Sequence, residues 1–187
     1  ILEGIYIEAN NEGVTLIGSD MDVSIETKVE ATVITPGKIV LDARLFGEII
    51  RKLPNSDVKI EISENDLVQI SCEKSVFNVV FMNAADYPSL PSINEELSVE
   101  VPQNLLKNMI KGTSFAIAQD EARPILQGIL FEVKDKQLNL VALDGYRLAI
   151  RNELLDIDND IEVVIPGKTL NEVSKILEDN SDLVEIT

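Results

Sequence analysis

Three features of this sequence predict an α+β fold of layered antiparallel strands with few helices. Short runs alternate apolar and polar residues, as half-buried strands do. Three longer segments carry apolar stripes at helical spacing. The chain also resembles itself at an offset of 124 residues, so one unit is expected to occur twice.

The strand reading starts at residues 5–9, which alternate. Asn10-Asn-Glu-Gly13 supplies turn residues, and residues 14–17 form a second apolar run, completing a hairpin. Residues 130–133, 135–137 and 138–142 repeat that design, and 58–62, 67–71 and 76–81 read as three more strands. The helices fall at 43–53, 103–111 and 168–178. Leu45, Phe46, Ile49, Ile50 and Leu53 form the first stripe; Leu105, Leu106, Met109 and Ile110 the second; Leu170, Val173, Ile176 and Leu177 the third. Pro102 and Pro166 stand just ahead of two of these helices, where a missing N–H costs least.

Laid without gaps at the 124 offset, residues 1–63 cover residues 125–187 with twelve identities, among them Gly4/Gly128, Asp20/Asp144, Val40/Val164 and Leu53/Leu177. Apolar character also corresponds at Ile7/Phe131, Val14/Leu138, Ile17/Val141, Phe46/Leu170 and Ile49/Val173. The repeat predicts two domains, 1–91 and 92–187, joined by Ala84-Ala-Asp-Tyr-Pro88-Ser-Leu-Pro91. Residues 64–91 continue the first unit past the point where the second stops, and 97–124 precede the second without a counterpart in the first. The first domain is therefore expected to lack its head and the second its tail. With Ile1 at the start and Leu183-Val-Glu-Ile-Thr187 at the end, the chain reads as part of a longer protein.

Composition narrows the chemistry. The chain is 45% hydrophobic and 26% charged, ordinary for a globular protein, but only 4% aromatic, so Ile, Leu and Val must build the core. The absence of histidine removes the commonest general base and metal ligand. One cysteine, Cys72, permits no internal disulfide and no zinc cluster, and suits a reducing cytoplasm. No stretch reaches the apolar length of a membrane helix. Pro36-Gly37-Lys38 and Pro166-Gly167-Lys168 fall short of a phosphate-binding loop and read as turns. Asp20-Met-Asp22 and Asp156-Ile-Asp158-Asn-Asp160 could in principle hold a divalent cation, but the second lacks the spacing of a calcium loop, and both read as solvated turns. Neither a metal nor a cofactor is expected.

The net charge of −17 would repel nucleic acid if it were uniform, so its distribution decides. The three helical segments hold seven cations (Arg44, Arg51, Lys52, Lys107, Lys111, Lys168, Lys175) against three acids (Glu48, Glu172, Glu178), a net of +4 that leaves −21 for the rest. Arg44 and Arg51 share one helix face, as do Lys168 and Lys175, and the 124 offset lays the first pair over the second. Each basic set is expected to lie away from its apolar stripe. Such a surface would meet phosphates weakly and without reading bases.

Ala84-Ala-Asp-Tyr-Pro, Arg123-Pro-Ile-Leu-Gln-Gly and Leu143-Asp-Gly-Tyr-Arg-Leu-Ala149 resemble stretches of the bacterial DNA polymerase III beta sliding clamp, and the resemblance runs along essentially the whole chain. It implies a DNA-clamp fold: three repeated domains per subunit, each an antiparallel sheet with two helices, and two subunits closing into a ring with the helices lining the hole. It implies a processivity factor rather than an enzyme, cytoplasmic, encircling double-stranded DNA without sequence preference. It makes Arg44, Arg51, Lys107, Lys111, Arg123, Lys168 and Lys175 the DNA-facing set. Leu126, Leu143, Gly145, Tyr146, Arg147 and Leu148 would form the second-domain wall of a pocket for short linear motifs of the replicative polymerase, the clamp loader and repair proteins. Leu126 and Leu148 would supply apolar surface, Arg147 the rim and Gly145 the tight turn. Leu143 stands where many relatives have a smaller polar residue and Tyr146 where some have histidine, so motif preference is expected to differ. Phe77 and Val79 match the edge strand that meets the neighbouring subunit of a homodimer. The third domain, which carries the other pocket wall, is absent from this sequence.

Two other readings compete. A tandem-domain, peptide-binding adaptor with no DNA role would carry the helix charges as solvated decoration. A metal-dependent hydrolase built on Asp20 and Asp22 is the third.

Overall fold

The computed structural model describes residues 1–63, 67–90, 98–120, 122–156 and 160–187. The chain divides into two compact units, Ile1–Pro91 and Ser92–Thr187.

In the first unit, β1 (Gly4–Asn10), β2 (Gly13–Ser19), β3 (Ser24–Val29) and β4 (Gly37–Asp42) form an antiparallel sheet in the order β3-β2-β1-β4. Helix α1 (Ala43–Lys52) follows directly, capped by Asp42, whose Oδ1 accepts from Leu45 N at 2.7 Å. Such a cap contributes about 1 kcal/mol. A second sheet, β5-β6-β7, is built from β5 (Lys59–Ser63), β6 (Leu67–Cys72) and β7 (Ser75–Val80). Ile7, Ile39, Leu41, Ile49, Val68, Ile70 and Val79 close the core, with Phe46 and Leu53 of the predicted stripe against it. Leu45 and Ile50, assigned to the same stripe from spacing, are exposed. Cys72 is buried as a packing residue.

In the second unit, β8 (Val99–Pro102) leads into α2 (Gln103–Lys111). Then come β9 (Gly128–Lys134), β10 (Gln137–Leu143), β11 (Leu148–Leu154) and β12 (Ile161–Pro166), in the sheet order β11-β10-β9-β12. Helix α3 (Gly167–Ile176) packs beside α2, and β13 (Leu183–Ile186) pairs with β8. Pro102 and Pro166 are at once the last residues of their strands and the N-caps of α2 and α3, without a side-chain cap. The tight turn between β9 and β10 puts Asp135 and Lys136 at positive φ, the twist a two-residue hairpin demands. The core joins Leu106, Met109 and Ile110 of α2 to Phe131, Val133, Leu138 and Leu140 of the sheet and Leu170 of α3.

The 124 offset holds element by element. Adding it to β1, β2 and β4 gives the bounds of β9, β10 and β12, and adding it to α1 gives those of α3. Periodicity alone did not mark β3, β4, β11 and β12: β3, β11 and β12 are exposed over most of their length, β4 buries three consecutive residues, Ile39, Val40 and Leu41, and all four take their place from pairing with a neighbour.

Candidate functional site

Two groups of residues stand out: the cations on the helices, and the turn joining β10 to β11 with its surroundings. On α1, Arg44 and Arg51 are exposed. Arg44 Nε lies 3.5 Å from Glu48 Oε1, and Arg51 Nε donates to the Gly47 carbonyl at 3.1 Å. On α3, Lys168 and Lys175 are exposed, with Lys175 Nζ 2.6 Å from Glu172 Oε1. Exposed pairs of this kind contribute little to stability, so a polyanion can displace them. On α2, Lys111 is exposed, whereas the Lys107 side chain is only 14% exposed and its Nζ sits 3.1 Å from Asp179 Oδ1. Spacing set Lys107 apart from the apolar stripe; the fold instead covers it and turns its charge onto a residue just past α3.

Arg123, grouped with the helix cations in the sequence reading, lies on no α-helix. It precedes a short 3₁₀ turn, Pro124–Gln127, and its Nη1 reaches to 3.7 Å from where a Cβ on Gly145 would stand. It therefore belongs with the turn at 144–147. There Asp144 Oδ1 accepts from the N–H groups of Tyr146 (2.9 Å) and Arg147 (3.0 Å), while Oδ2 accepts from Arg147 Nε (3.0 Å). The Tyr146 N–H, then that of Arg147, hold the Asp144 carboxyl below its ordinary range. Gly145 has φ +91°, where a side chain is strained.

This turn fixes what faces outward. Tyr146 is wholly exposed. The Arg147 guanidinium lies 5.8 Å from the centre of the Phe115 ring, a cation–π contact. Leu143 and Leu148 stand opposite each other at the strand ends, and Leu148 is 60% exposed. Read alone, residues 144–148 suggest a turn running into a core strand; the turn is there, but Leu148 faces outward and Ala149 is the buried neighbour. Leu126 is half-buried on the 3₁₀ turn, whose carbonyl at that residue accepts from Ala118 N at 2.9 Å. Sequence reasoning missed Phe115. It stands alone on a 3₁₀ turn, Ser114–Ala116, with no periodic neighbours to mark it, and only the fold brings it under Arg147.

At the proposed subunit contact, β7 is an edge strand, pairing only with β6 among the described residues. Phe77 is partly exposed, but the Val79 side chain is buried in the core.

The acidic motifs resolve as turns. Asp20 Oδ1 accepts from Asp22 N and Val23 N at 3.1 and 2.8 Å. In the second run, Asp156 pairs with Lys136 at 2.7 Å, while residues 157–159 lie outside the described residues. Among the described residues no group of three metal-ligating side chains is placed to share an ion. No helix among them is long and apolar enough to cross a membrane.

An α+β architecture of this kind is that of solved sliding clamps. Residues 1–91 match the family described as DNA polymerase III beta subunit, N-terminal domain, and residues 100–187 match its central domain, so the chain belongs to the DNA polymerase III beta subunit family. It is similar to the beta sliding clamp of Bacillus subtilis, with 45% identity over all of this chain and 52% of that protein. The crystal structure of the Bacillus subtilis clamp superposes with a TM-score of 0.93 over all of this chain and 52% of that one. The DNA polymerase III beta subunit of Pseudomonas aeruginosa, 30% identical over all of this chain and 52% of that one, superposes with a TM-score of 0.91. The chain thus spans about half the length of these relatives.

Proposed function

We propose that this chain supplies the first and second domains, 1–91 and 92–187, of a ring-shaped, cytoplasmic processivity factor. In the full-length protein a third domain and a second subunit complete the ring. It encircles double-stranded DNA, contacts phosphates without reading sequence, and catalyses nothing. The observation that carries this reading is the matched placement of cations on equivalent helices of an acidic chain: Arg44 over Lys168 and Arg51 over Lys175, all exposed. A topological ring needs only weak, salt-sensitive attraction, and strong attraction would hinder sliding. Lys111 joins this set, with Lys107 in a lesser role because of its ion pair.

A second surface, formed by Arg123, Leu126, Leu143, Gly145, Tyr146, Arg147 and Leu148 with Phe115 beneath, takes short linear motifs of the polymerase, the clamp loader and repair proteins. Exposed apolar side chains beside a guanidinium suit a motif of apolar residues next to a carboxylate or carbonyl. The edge strand β7 carries the subunit contact, through its backbone and Phe77.

The test loads the full-length protein with a clamp loader onto nicked circular DNA, linearises the DNA, and follows retention at moderate salt. Retention on circles with loss from linear ends is expected. Equal retention on both, or none despite a competent loader, overturns the ring and leaves the adaptor.

A further inference from the structure

The helix cations are not all held alike. Arg44 has Glu48 at 3.5 Å, and Lys175 has Glu172 at 2.6 Å. In both pairs the acid belongs to the same helix as its cation, and an exposed pair of that kind gives way to a phosphate at little cost. Lys107 is different. Its Nζ lies 3.1 Å from Asp179 Oδ1, and its side chain is 14% exposed where that of Asp179 is 78% exposed. The lysine is covered, and the acid faces water. The acid also comes from another element, the segment that follows α3.

Backbone hydrogen bonds hold that segment in place. Pro102, the N-cap of α2, offers no side chain to the first N–H groups of the helix. The segment after α3 supplies the acceptors instead: the Asp182 carbonyl accepts from Gln103 N and the Asn180 carbonyl from Asn104 N, both at 2.9 Å. In return Gln103 Oε1 accepts from Glu178 N at 2.9 Å, and Asn104 Nδ2 donates to Ser181 Oγ at 3.4 Å. Residues 178–182 are thus pinned to the first turn of α2 on both sides of Asp179. Lys107 lies one helical turn beyond Gln103, on the same face. A phosphate that approaches Lys107 meets the Asp179 carboxylate, which already occupies the ammonium and repels a second anion. At the 124 offset the first unit has Asn55, a neutral residue, where the second has Asp179. The segment after the helix therefore does not need the charge for its shape.

We propose that Asp179 is a brake on DNA contact: it holds Lys107 in the place of a phosphate and keeps the attraction of α2 below what its two lysines would give. The inference rests on the DNA contact proposed above and adds the device that limits it. Lys111, four residues on, stays exposed for phosphate. Lys107 is withheld by a carboxylate that does not swing away with its own helix. A pair with one partner covered and the other carried on pinned backbone loses less side-chain freedom than a fully exposed pair, so it competes better with a passing phosphate. A ring that slides gains from such a limit, because each further phosphate neutralised strengthens its grip at every position along the duplex.

The experiment uses the full-length protein and a fluorescein-labelled linear duplex, with binding read by anisotropy over roughly 50 to 200 mM salt. Each phosphate neutralised adds about −0.9 to the slope of log K against log salt. Asp179→Asn, which gives the second unit the residue type of the first, should steepen the slope by about that amount and tighten binding several-fold at low salt. In a Lys107→Gln protein the same Asp179→Asn change should add nothing comparable. Asp182→Asn removes the same charge from the same segment without releasing a lysine, and should shift the slope far less. An unchanged slope in Asp179→Asn overturns the brake. So does a gain that persists with Lys107→Gln or that Asp182→Asn reproduces, since net charge alone would then be the cause. Replacing Arg44, Arg51, Lys168 and Lys175 with Gln separates the two readings. A slope that those changes leave untouched sinks the DNA contact itself, whereas a slope that falls with them while Asp179→Asn does nothing sinks only the brake.

Discussion

The β2–β3 turn of the first unit and the β10–β11 turn of the second are the same device put to different uses. In both, an aspartate, Asp20 or Asp144, accepts from the N–H groups two and three residues on, and the residue after it has positive φ. What surrounds them diverges. The first ends its strands on Ser19 and Ser24, whose hydroxyls bond each other at 2.8 Å. The second ends them on Leu143 and Leu148, facing water. Val23 stands where the second has Arg147 above Phe115, and Met21 where it has Gly145. One turn satisfies its own groups; the other keeps apolar area and a guanidinium available. A repeat therefore conserves the scaffold, and on the proposed function the side chains at one strand end decide which copy takes a motif.

The sharpest way to break this comparison is to give the second turn the first one's strand ends. Leu143→Ser with Leu148→Ser in the full-length protein should weaken an apolar motif peptide by at least ~10-fold, since burying a leucine contributes ~1.5–3 kcal/mol. Calorimetric titration reads the affinity and a melting curve the fold. The melting midpoint should move little, because Leu148 is largely and Leu143 partly exposed. Undiminished affinity would remove the apolar pair from the site.

A smaller effect comes from exchanging the residues at positive φ. Met21 has φ +77° and Gly145 +91°. A side chain in left-handed backbone costs ~1–2 kcal/mol, so Gly145→Met should destabilise by about 1 kcal/mol. Met21→Gly removes that cost but adds freedom to the unfolded chain, and a net gain of about 0.5 kcal/mol is expected. Urea unfolding measures both. Equal and negligible effects would mean that the aspartate bonds alone set the turn.

Much of this was legible in the sequence, and the physical reason differs by residue. The 124 offset marked two equivalent units, and β9, β10, β12 and α3 repeat the bounds of β1, β2, β4 and α1, because a repeated unit must repeat its core. The stripe on α1 was over-read at Leu45 and Ile50, because helical spacing does not say how wide a face the neighbours cover. The spacing on α2 could not show that Lys107 is largely covered, because its ion pair with Asp179 joins residues far apart in sequence. Val79 was placed at an interface by its strand, but alternation within β7 turns its side chain inward. Phe115 was not legible as a functional feature, since it depends on a contact with Arg147 that only the folded chain makes.

The finest discrimination between the turns is electrostatic. Asp144 holds a proton less readily than an ordinary aspartate because two N–H groups and the Arg147 guanidinium favour its charged form. Its folded pKa is lowered, so its contribution is complete above the unfolded carboxylate range and is lost as pH falls through the lower folded value. Arg147 should therefore keep its place over Phe115 from neutral pH down through the usual aspartate range, and loosen only below it. Arg147 Nε–H resonances and Tyr146 amide exchange, followed across an acid titration, should change together and late. In Asp144→Asn the late transition should vanish, because the amide still accepts hydrogen bonds but carries no charge to lose. A transition within the ordinary carboxylate range, or one that survives Asp144→Asn, would mean that the cation–π contact with Phe115 positions Arg147 and that the aspartate only shapes the turn.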